Sequence, residues 1–269
     1  MNPKDISNLS EGAAWEALLE IMATLRGEQG CPWDKKQTHE SLKACLLEET
    51  YEVLDAIDGK SPESLKEELG DLLLQVVFHG QIAREAQTFQ IKEVLTHLMD
   101  KLIRRHPHVF SDEVVENPEE AIGRWEKIKA KERGAHKSVL SGLPPELPAL
   151  LRAYRMGSKA ARVGFDWPDA QGVLDKVTEE VTELKEALQE QNAEKIDEEF
   201  GDLLFSLAQL ARFLKVNPED SLRKCTYKFQ RRFEFLEQEI KKQGKEFSDF
   251  SPGELEEFWE KAKSFTKTV

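Results

Sequence analysis

The apolar residues of this 269-residue chain recur every three or four positions. Two consecutive segments show this spacing, the first with Leu42, Leu46, Tyr51 and Leu54 and the second with Leu65, Leu69, Leu72, Leu73 and Val76. Side chains three and four positions apart share one face of an α-helix, whereas a half-buried strand alternates apolar and polar residues. Alternating stretches are scarce, so the pattern predicts an all-α chain.

The chain also repeats itself. The segment Glu48-Glu-Thr-Tyr-Glu52 returns 131 residues later as Glu179-Glu-Val-Thr-Glu183, and Glu68-Leu-Gly-Asp71 returns at the same offset as Glu199-Phe-Gly-Asp202. Weaker echoes link Trp33-Asp34 with Phe165-Asp166, the run from Lys101 to Arg105 with that from Lys228 to Arg232, and the pair Trp125 and Lys129 with Trp259 and Lys263. Repeats in one register indicate an internal duplication of a unit of roughly 130 residues.

The two copies are separated by a stretch that contains helix-breaking residues. Gly134, Gly142 and Pro144-Pro145 interrupt the helical spacing there. We predict a first domain over residues 1–134, a linker over residues 135–147 and a second domain over residues 148–269.

Capping residues mark the predicted helix starts. Ser61-Pro62, Asn117-Pro118 and Asn217-Pro218 each place a capping side chain before a proline at the first helical position. Ser251-Pro-Gly-Glu254 has the sequence of a capping box. Short turns such as residues 58–62 make neighbouring helices antiparallel, so about four or five helices per copy are expected to form a bundle. The predicted architecture is therefore two tandem helical-bundle domains.

Charge and cysteine content narrow the range of possible functions. Acidic residues outnumber basic ones by 51 to 38, and the net charge of −13 repels nucleic acid. A small phosphate compound stays compatible if a divalent cation lies between it and the acids. Three cysteines without CxxC spacing indicate neither a disulfide framework nor a zinc site. Because the longest apolar stretch is also too short to cross a bilayer, we expect a cytoplasmic protein that binds neither nucleic acid nor membrane.

The repeated acidic residues are the strongest sign of chemistry. Glu48, Glu49 and Glu52 share one side of a predicted helix, and Glu68 and Asp71 share one side of the next. Antiparallel pairing of these helices brings the five carboxylates together, and their mutual repulsion requires a neutralising cation. A ligand set made only of carboxylate oxygens favours Mg²⁺, with Mn²⁺ as a substitute, over zinc.

Two other interpretations of these acids are open. Glutamates three and four residues apart often form only a solvated helix face, although the recurrence of both clusters at one offset argues against that. A carboxylate-bridged iron site needs Glu-x-x-His pairs, whereas here the final position of the motif is Asp71 or Asp202.

Glu-Glu-x-x-Glu, then fifteen residues, then Glu-x-x-Asp resembles the signature of the all-α nucleoside triphosphate pyrophosphatases. Gly30-Cys-Pro-Trp-Asp34, Arg104-Arg-His-Pro-His-Val-Phe110 and Gly164-Phe-Asp-Trp167 resemble phrases of the MazG family in its two-domain bacterial form. Dimeric dUTPases and phosphoribosyl-ATP pyrophosphatases share versions of the acidic signature alone. The resemblance implies a Mg²⁺-dependent homodimer that hydrolyses a nucleoside triphosphate to the monophosphate and pyrophosphate.

The resemblance also implies roles for residues of the second copy. The implied metal ligands are Glu180, Glu183, Glu199 and Asp202. The implied nucleotide contacts are Lys176, Glu179, Lys195, Glu198, Lys228, Arg231, Arg232, Trp259 and Lys263. Lys and Arg suit phosphate groups, and a tryptophan face stacks on any base, that of ATP included. Without the resemblance, Trp259 could instead anchor its helix in the core.

The two copies differ in their cations. Cys45 and Ser64 occupy the positions at which the second copy has Lys176 and Lys195. We therefore expect the second copy to be the main catalytic site. The first copy has a second candidate metal site made of Glu48, Glu49, Glu52, Glu68 and Asp71, and we expect it to assist assembly or to have a weaker or different activity.

The expected mechanism is in-line attack of a metal-bound water on the α-phosphorus, with Glu179 or Glu180 as the general base. The competing hypothesis is a non-enzymatic protein that senses nucleotides or binds partner helices, in which the acids hold a structural metal.

Overall fold

The computed structural model describes residues 6–111, 115, 117–133 and 138–265. All regular structure within these residues is helical, and they contain no strand, which confirms the all-α prediction. The chain divides into two compact helical units, residues 1–134 and 135–269. The linker expected over residues 135–147 stays a prediction. Its residues Val139 and Ser141 lie in the second unit, where their backbone carbonyls accept hydrogen bonds from the buried Lys159.

The helices of each unit follow one another in a simple order. Those described in the first unit are α1 (Glu11–Arg26), α2 (Pro32–Lys36), α3 (Lys43–Gly59), α4 (Pro62–Glu85), α5 (Ile91–Arg105), α6 (Pro107–Phe110) and α7 (Pro118–Arg133). Those described in the second unit are α8 (Ala149–Ala161), α9 (Ala170–Glu190), α10 (Ala193–Phe213), α11 (Pro218–Lys242), a 3₁₀ turn (Phe247–Asp249) and α12 (Pro252–Phe265).

Helices begin where the capping residues predict. The Ser61 hydroxyl accepts a hydrogen bond from the backbone N–H of Ser64 at 3.2 Å, and the Asn217 carbonyl accepts from two backbone N–H groups of α11. Ser251 and Glu254 form a reciprocal capping box at the start of α12. These contacts satisfy N–H groups that have no partner inside their own helix.

A tight turn makes the central helices of each unit antiparallel. Lys60 joins α3 to α4 in the left-handed conformation, with φ of 54°, and Gln191 joins α9 to α10 with φ of 53°. Helix α3 packs on α4 in the first unit, and α9 packs on α10 in the second. The turns therefore build two equivalent helix hairpins, and these hairpins position the repeated acids.

Each unit has its own apolar core. In the first unit Met22, Leu42, Val77 and Phe78 are almost fully buried and pack against α1 and α4 side chains such as Trp15. In the second unit a cluster of Leu236, Ile240 and Phe258 joins α11 to α12. Burial of apolar area is the main favourable term in folding, so each unit has a stabilising centre that does not depend on the acids.

A buried glutamine connects three parts of the second unit. Gln209, which is fully buried on α10, donates to the Ala153 carbonyl of α8 at 3.0 Å and accepts from Arg212 at 2.9 Å. Arg212 in turn forms an ion pair with Asp166, in the loop that echoes Trp33-Asp34 of the first unit. Gly157 makes this approach sterically possible, because a Cβ atom there would lie 1.6 Å from the Gln209 amide oxygen.

Replacing Gly157 with alanine is expected to destabilise the second unit. The added methyl group displaces the Gln209 amide, and overpacking of this kind costs about 1–3 kcal/mol, more than the helix propensity of alanine returns. Urea unfolding followed by circular dichroism measures the loss. Gly253→Ala is the control, because no atom lies within 4 Å of its added Cβ; equal stability of the two variants would contradict the proposed clash.

Candidate metal and nucleotide site

Three carboxylates of the second unit meet across the α9–α10 hairpin. Glu180 lies on α9, and Glu199 and Asp202 lie one turn apart on α10. One oxygen of each carboxylate lies within 4.8 Å of an oxygen of each of the others. Glu180 is only 4% exposed, so its charge is largely removed from solvent. The arrangement is a compact set of hard oxygen ligands, which suits Mg²⁺ or Mn²⁺.

The electrostatics of the cluster reflect crowding of like charges. Desolvation raises the pKa of Glu199, and the charges of Glu180, Glu198 and Asp202 raise that pKa further. Desolvation also raises the pKa of Glu183, with Glu180 and Glu199 adding to the effect and Lys176 opposing it. The charges of the cluster therefore act on Glu183, although Glu183 lies outside the group of three carboxylates. A divalent cation would relieve this repulsion.

Lys176 lies directly on the acids. Its Nζ is 2.8 Å from Glu179 Oε1 and 2.9 Å from Glu180 Oε1. The hydrogen bond to Glu179, followed by that to Glu180, raises the pKa of the Lys176 ammonium well above its ordinary value. Lys176 stays charged at neutral pH and already neutralises part of the cluster.

The other predicted nucleotide contacts lie farther along the unit. Lys195 forms an ion pair with Glu190 at 2.7 Å, at the turn of the hairpin, and Glu198 lies beside Glu199 on α10. Lys228, Arg231 and Arg232 lie on α11, while Trp259 and Lys263 lie on α12. Lys263 pairs with its helical neighbours Glu260 and Glu256.

Trp259 has a packing role in this structure. Its ring lies 5.1 Å from the ring of Phe229, centroid to centroid, and it packs against the core cluster of α11 and α12. Only part of its surface is left for stacking on a base. The structure thus supports the core-anchoring interpretation of Trp259, and nucleotide stacking stays a prediction.

The first unit has an equivalent acidic cluster. Glu49 on α3 meets Glu68 and Asp71 on α4, again with ligand oxygens within 4.8 Å of one another. Desolvation raises the pKa of Glu49, and the charges of Asp71 and Glu52 add to it. Glu52 is therefore close to the cluster, while Glu48 is not in the group of three.

One neighbour of this cluster was missed by the sequence analysis. Gln75 lies one turn after Asp71 on α4, is 4% exposed and places its Nε2 3.4 Å from Glu49 Oε1. In sequence it is only a polar interruption of the apolar stretch from Leu72 to Phe78. Its position one turn from Asp71 is the signal that could have identified it.

The lysines of the second site have no counterpart in the first. Cys45, at the position of Lys176, packs against the apolar core of the first unit. Ser64, at the position of Lys195, hydrogen-bonds to the Ser61 hydroxyl at 2.9 Å. Both side chains serve the local fold and carry no charge.

Basic and aromatic residues of the first unit form a separate cluster. Lys129 and Arg105 lie over the Trp125 ring, with charged atoms 4.3 Å and 5.8 Å from its centroid, and Arg105 also pairs with Glu132. Nearby, His106 donates to the Leu102 carbonyl at 2.7 Å, which supports a structural role for the His106-Pro-His108 segment.

Comparison with known proteins agrees with these features. The family described as MazG nucleotide pyrophosphohydrolase domain matches residues 37–110 and 169–235, which include both acidic clusters. Together with the two helical units and their repeated carboxylates, this match places the chain in the class of nucleotide pyrophosphohydrolases. The chain belongs to the MazG family, and the resemblance in its motifs is confirmed.

Two full-length relatives, matched by sequence, support this assignment. The chain is 51% identical over 258 residues to the nucleoside triphosphate pyrophosphohydrolase/pyrophosphatase MazG of Thermotoga maritima, covering 96% of this chain and 98% of the relative. It is 45% identical over 255 residues to a nucleoside triphosphate pyrophosphohydrolase of Escherichia coli K12, covering 92% and 96%. A crystal structure of a mazG-related protein from Thermotoga maritima aligns with a TM-score of 0.38 at 30% identity, covering 43% of this chain and 98% of that one.

None of the helices in the described part of the chain has an apolar stretch long enough to cross a membrane.

Replacing Lys176 with methionine is expected to lower stability in the absence of divalent cations. The buried Glu180 carboxylate loses its ion pair, and a buried charge left unpaired costs more than the roughly 1–3 kcal/mol of an unsatisfied neutral group. Thermal unfolding in EDTA measures the loss, and added Mn²⁺ is expected to restore much of it. The matched control is Lys195→Met, because its partner Glu190 is about half exposed and such surface pairs contribute about 1 kcal/mol or less. Equal losses in both variants would contradict a special role for the Lys176 pair.

Proposed function

We propose that this chain hydrolyses nucleoside triphosphates to nucleoside monophosphates and pyrophosphate in its second unit, with Mg²⁺ as the natural cation and Mn²⁺ as a substitute. The observation that carries the proposal is the convergence of the buried Glu180 with Glu199 and Asp202. These acids lie within a segment matched by the MazG family. The names of the full-length relatives support the substrate class.

The metal would be held by Glu180, Glu199 and Asp202, with Glu183 as a fourth ligand one turn beyond Glu180. When bound, Mg²⁺ would lower the pKa of a water molecule and offset the charge of the phosphate groups. Because Glu180 is buried in the cluster, its carboxylate is suited to bind the metal ion directly. Glu179 has a side chain that is 56% exposed, so it could approach substrate and accept a proton once Lys176 leaves it. We therefore favour Glu179 over Glu180 as the general base.

The cations of the second unit would bind the triphosphate. Lys176 now lies between Glu179 and Glu180, and an anionic phosphate offers the same ammonium a stronger competing partner. Transfer of Lys176 to phosphate would leave Glu179 without its ion pair and better able to take a proton. We propose that Lys195, Lys228, Arg231, Arg232 and Lys263 add phosphate contacts, and that Glu198 and the accessible part of Trp259 contact the nucleoside.

The activity is tested by incubating purified protein with Mg²⁺ and a panel of nucleoside triphosphates, and by assaying pyrophosphate and orthophosphate separately. We expect pyrophosphate with an equal amount of monophosphate. Glu180→Gln and Asp202→Asn should each lower turnover about 100-fold or more, since each removes a charged ligand. Glu239→Gln, which alters an acid paired with Lys242 at the far end of α11, should leave turnover unchanged.

Orthophosphate as the main product would contradict attack at the α-phosphorus. Turnover retained by Glu180→Gln and Asp202→Asn would contradict the assignment of the site. No release from any triphosphate would favour the sensing hypothesis.

The active form is proposed to be a homodimer. Phe200, Leu204 and Leu207 form an exposed apolar stripe along α10, and their side chains are 39–53% exposed. An equivalent stripe of Leu69, Leu73 and Val76 lies along α4 and is 40–49% exposed. Residues four and seven positions apart share one helix face, and extended exposed apolar surface of this kind marks an interface. Covering both stripes with a second copy would remove them from water.

Light scattering after size-exclusion chromatography tests the dimer, with a mass of two chains expected. The double variant Leu73→Glu with Leu207→Glu places a charge in each stripe and should weaken association roughly 100-fold or more. Val163→Glu, at an exposed residue outside both stripes, is the control. A one-chain mass for the unaltered protein at all concentrations would contradict the dimer.

The cellular setting follows from the same chemistry. We propose a cytoplasmic location, which the free thiols of Cys31, Cys45 and Cys225 fit. The net charge of −13 disfavours nucleic acid as a partner.

A further inference from the structure

A cavity in the first unit lies between one face of α1, the end of α4 and the start of α5. Its volume is about 250 Å³. The residues that line it are Leu19, Val77, Gly80, Gln81, Arg84, Gln90, Ile91 and Lys92. Arg84 follows Asp71 by 13 residues on α4, which corresponds to about 20 Å at the helical rise. The cavity is therefore separate from the acidic cluster of the same unit.

The floor of the cavity is aliphatic. Val77 is 1% exposed, and both Val77 and Leu19 belong to the apolar core of the first unit. Gly80 lets the start of α5 approach α4 closely, because a Cβ atom there would lie 3.1 Å from Ile91 Cδ1. None of the lining residues is aromatic. The floor therefore suits an aliphatic group rather than a ring that needs a stacking partner.

Arg84 lines this cavity without a counter-ion from the protein. Among the residues that the structure describes, its side chain forms no ion pair and no hydrogen bond. The neighbouring acid Glu85 instead pairs with Arg26 at 2.7 Å and accepts a hydrogen bond from Gln81 at 2.9 Å. The hydrogen bond from Arg26 lowers the pKa of Glu85, so this carboxylate stays charged and engaged. Glu20 lines an adjoining cavity together with Arg84 but does not pair with it.

Lys92 is the second cation of the cavity. In the described part of the chain its side chain also has no partner. It lies in the first turn of α5, where the positive end of the helix dipole disfavours a cation. Its neighbour Glu93 accepts a hydrogen bond from the Gln90 N–H at 2.8 Å. In a chain with a net charge of −13, two cations at one cavity without paired acids are complementary to an anion.

We propose that this cavity, the α1–α4–α5 pocket, binds a small free amphipathic anion, namely an aliphatic carboxylate or phosphate monoester. The aliphatic part covers Leu19, Val77 and Ile91, and the acid group lies between Arg84 and Lys92. Guanidinium and ammonium groups form charge-assisted hydrogen bonds with either acid. The adjoining cavity of about 450 Å³ shares Leu19 and Arg84 with the pocket and gives room for a longer chain.

The first test is calorimetric titration of octanoate and octyl phosphate into the full-length protein at low ionic strength. One site per chain is expected for each. Acetate and inorganic phosphate should bind about 100-fold more weakly, since each buried methylene raises affinity about fourfold. Octylammonium should not bind, because its charge is of the wrong sign. Absence of saturable octanoate binding, or acetate binding as tightly as octanoate, would overturn the proposal.

The second test removes the cations one at a time. Arg84→Met and Lys92→Met should each weaken octanoate binding about tenfold, whereas Arg84→Lys keeps the charge and should retain most of the affinity. Lys66→Met is the matched control, because Lys66 lies on α4 outside the pocket, is 72% exposed and pairs with Glu63. Unchanged affinity in both methionine variants overturns the assignment of the acid group. An equal loss in Lys66→Met does so as well, since it would reflect net charge alone.

The third test separates a free ligand from a membrane lipid of the same chemistry. The protein is sedimented with vesicles of phosphatidylglycerol, and we expect it to stay in the supernatant. Sedimentation with the vesicles by a protein that does not bind octanoate would overturn the proposal of a free ligand. None of the three measurements needs hydrolysis, so their outcome is independent of pyrophosphate release and of the proposed function.

Discussion

Repulsion between carboxylates across a helix hairpin is the constraint around which each unit is organised. The turns at Lys60 and Gln191 fold α4 back on α3 and α10 back on α9, and this brings acids from two helices within a few ångströms. Like charges in a partly desolvated place destabilise the folded chain unless they are balanced. The cores around Met22 and Leu236 lie elsewhere and supply the stability that lets the acids stay crowded. A cation that neutralised these acids would therefore relieve a repulsion already present in the folded chain.

The two hairpins place different groups beside the same set of acids. Lys176 provides a full positive charge on a flexible side chain, which can leave the acids when a stronger anion is present. Gln75 provides a neutral amide that is buried beside Glu49 and adds no charge. One duplicated scaffold thus combines a charged lysine beside the acids of one unit with a buried neutral amide beside those of the other. The shared backbone keeps the acids equivalent, while single substitutions beside them change the charge that surrounds each cluster.

Periodicity, capping and repetition were sufficient to predict most of the fold. Proline-preceded caps such as Ser61 and Asn217 act through local hydrogen bonds, so sequence alone locates them. The convergence of Glu180 with Glu199 and Asp202 followed from one antiparallel turn. The directions of long side chains did not follow, because tertiary neighbours choose among rotamers of similar energy. Lys195 turns to Glu190 rather than to the acids, Trp259 packs on Phe229, and the burial of Gln75 depends on how α4 packs against the rest of its unit.

The two apolar stripes bear on how copies of this chain recognise one another. A molecule with two similar apolar surfaces forms a closed dimer when each surface pairs with the same surface of the second copy. When one surface pairs with the other instead, copies can add without limit and form an open filament. The stripe of Leu69, Leu73 and Val76 is purely aliphatic, while its counterpart includes the larger, planar Phe200. In the proposed dimer, this difference in shape would let each stripe pair with its own kind and would keep the assembly finite.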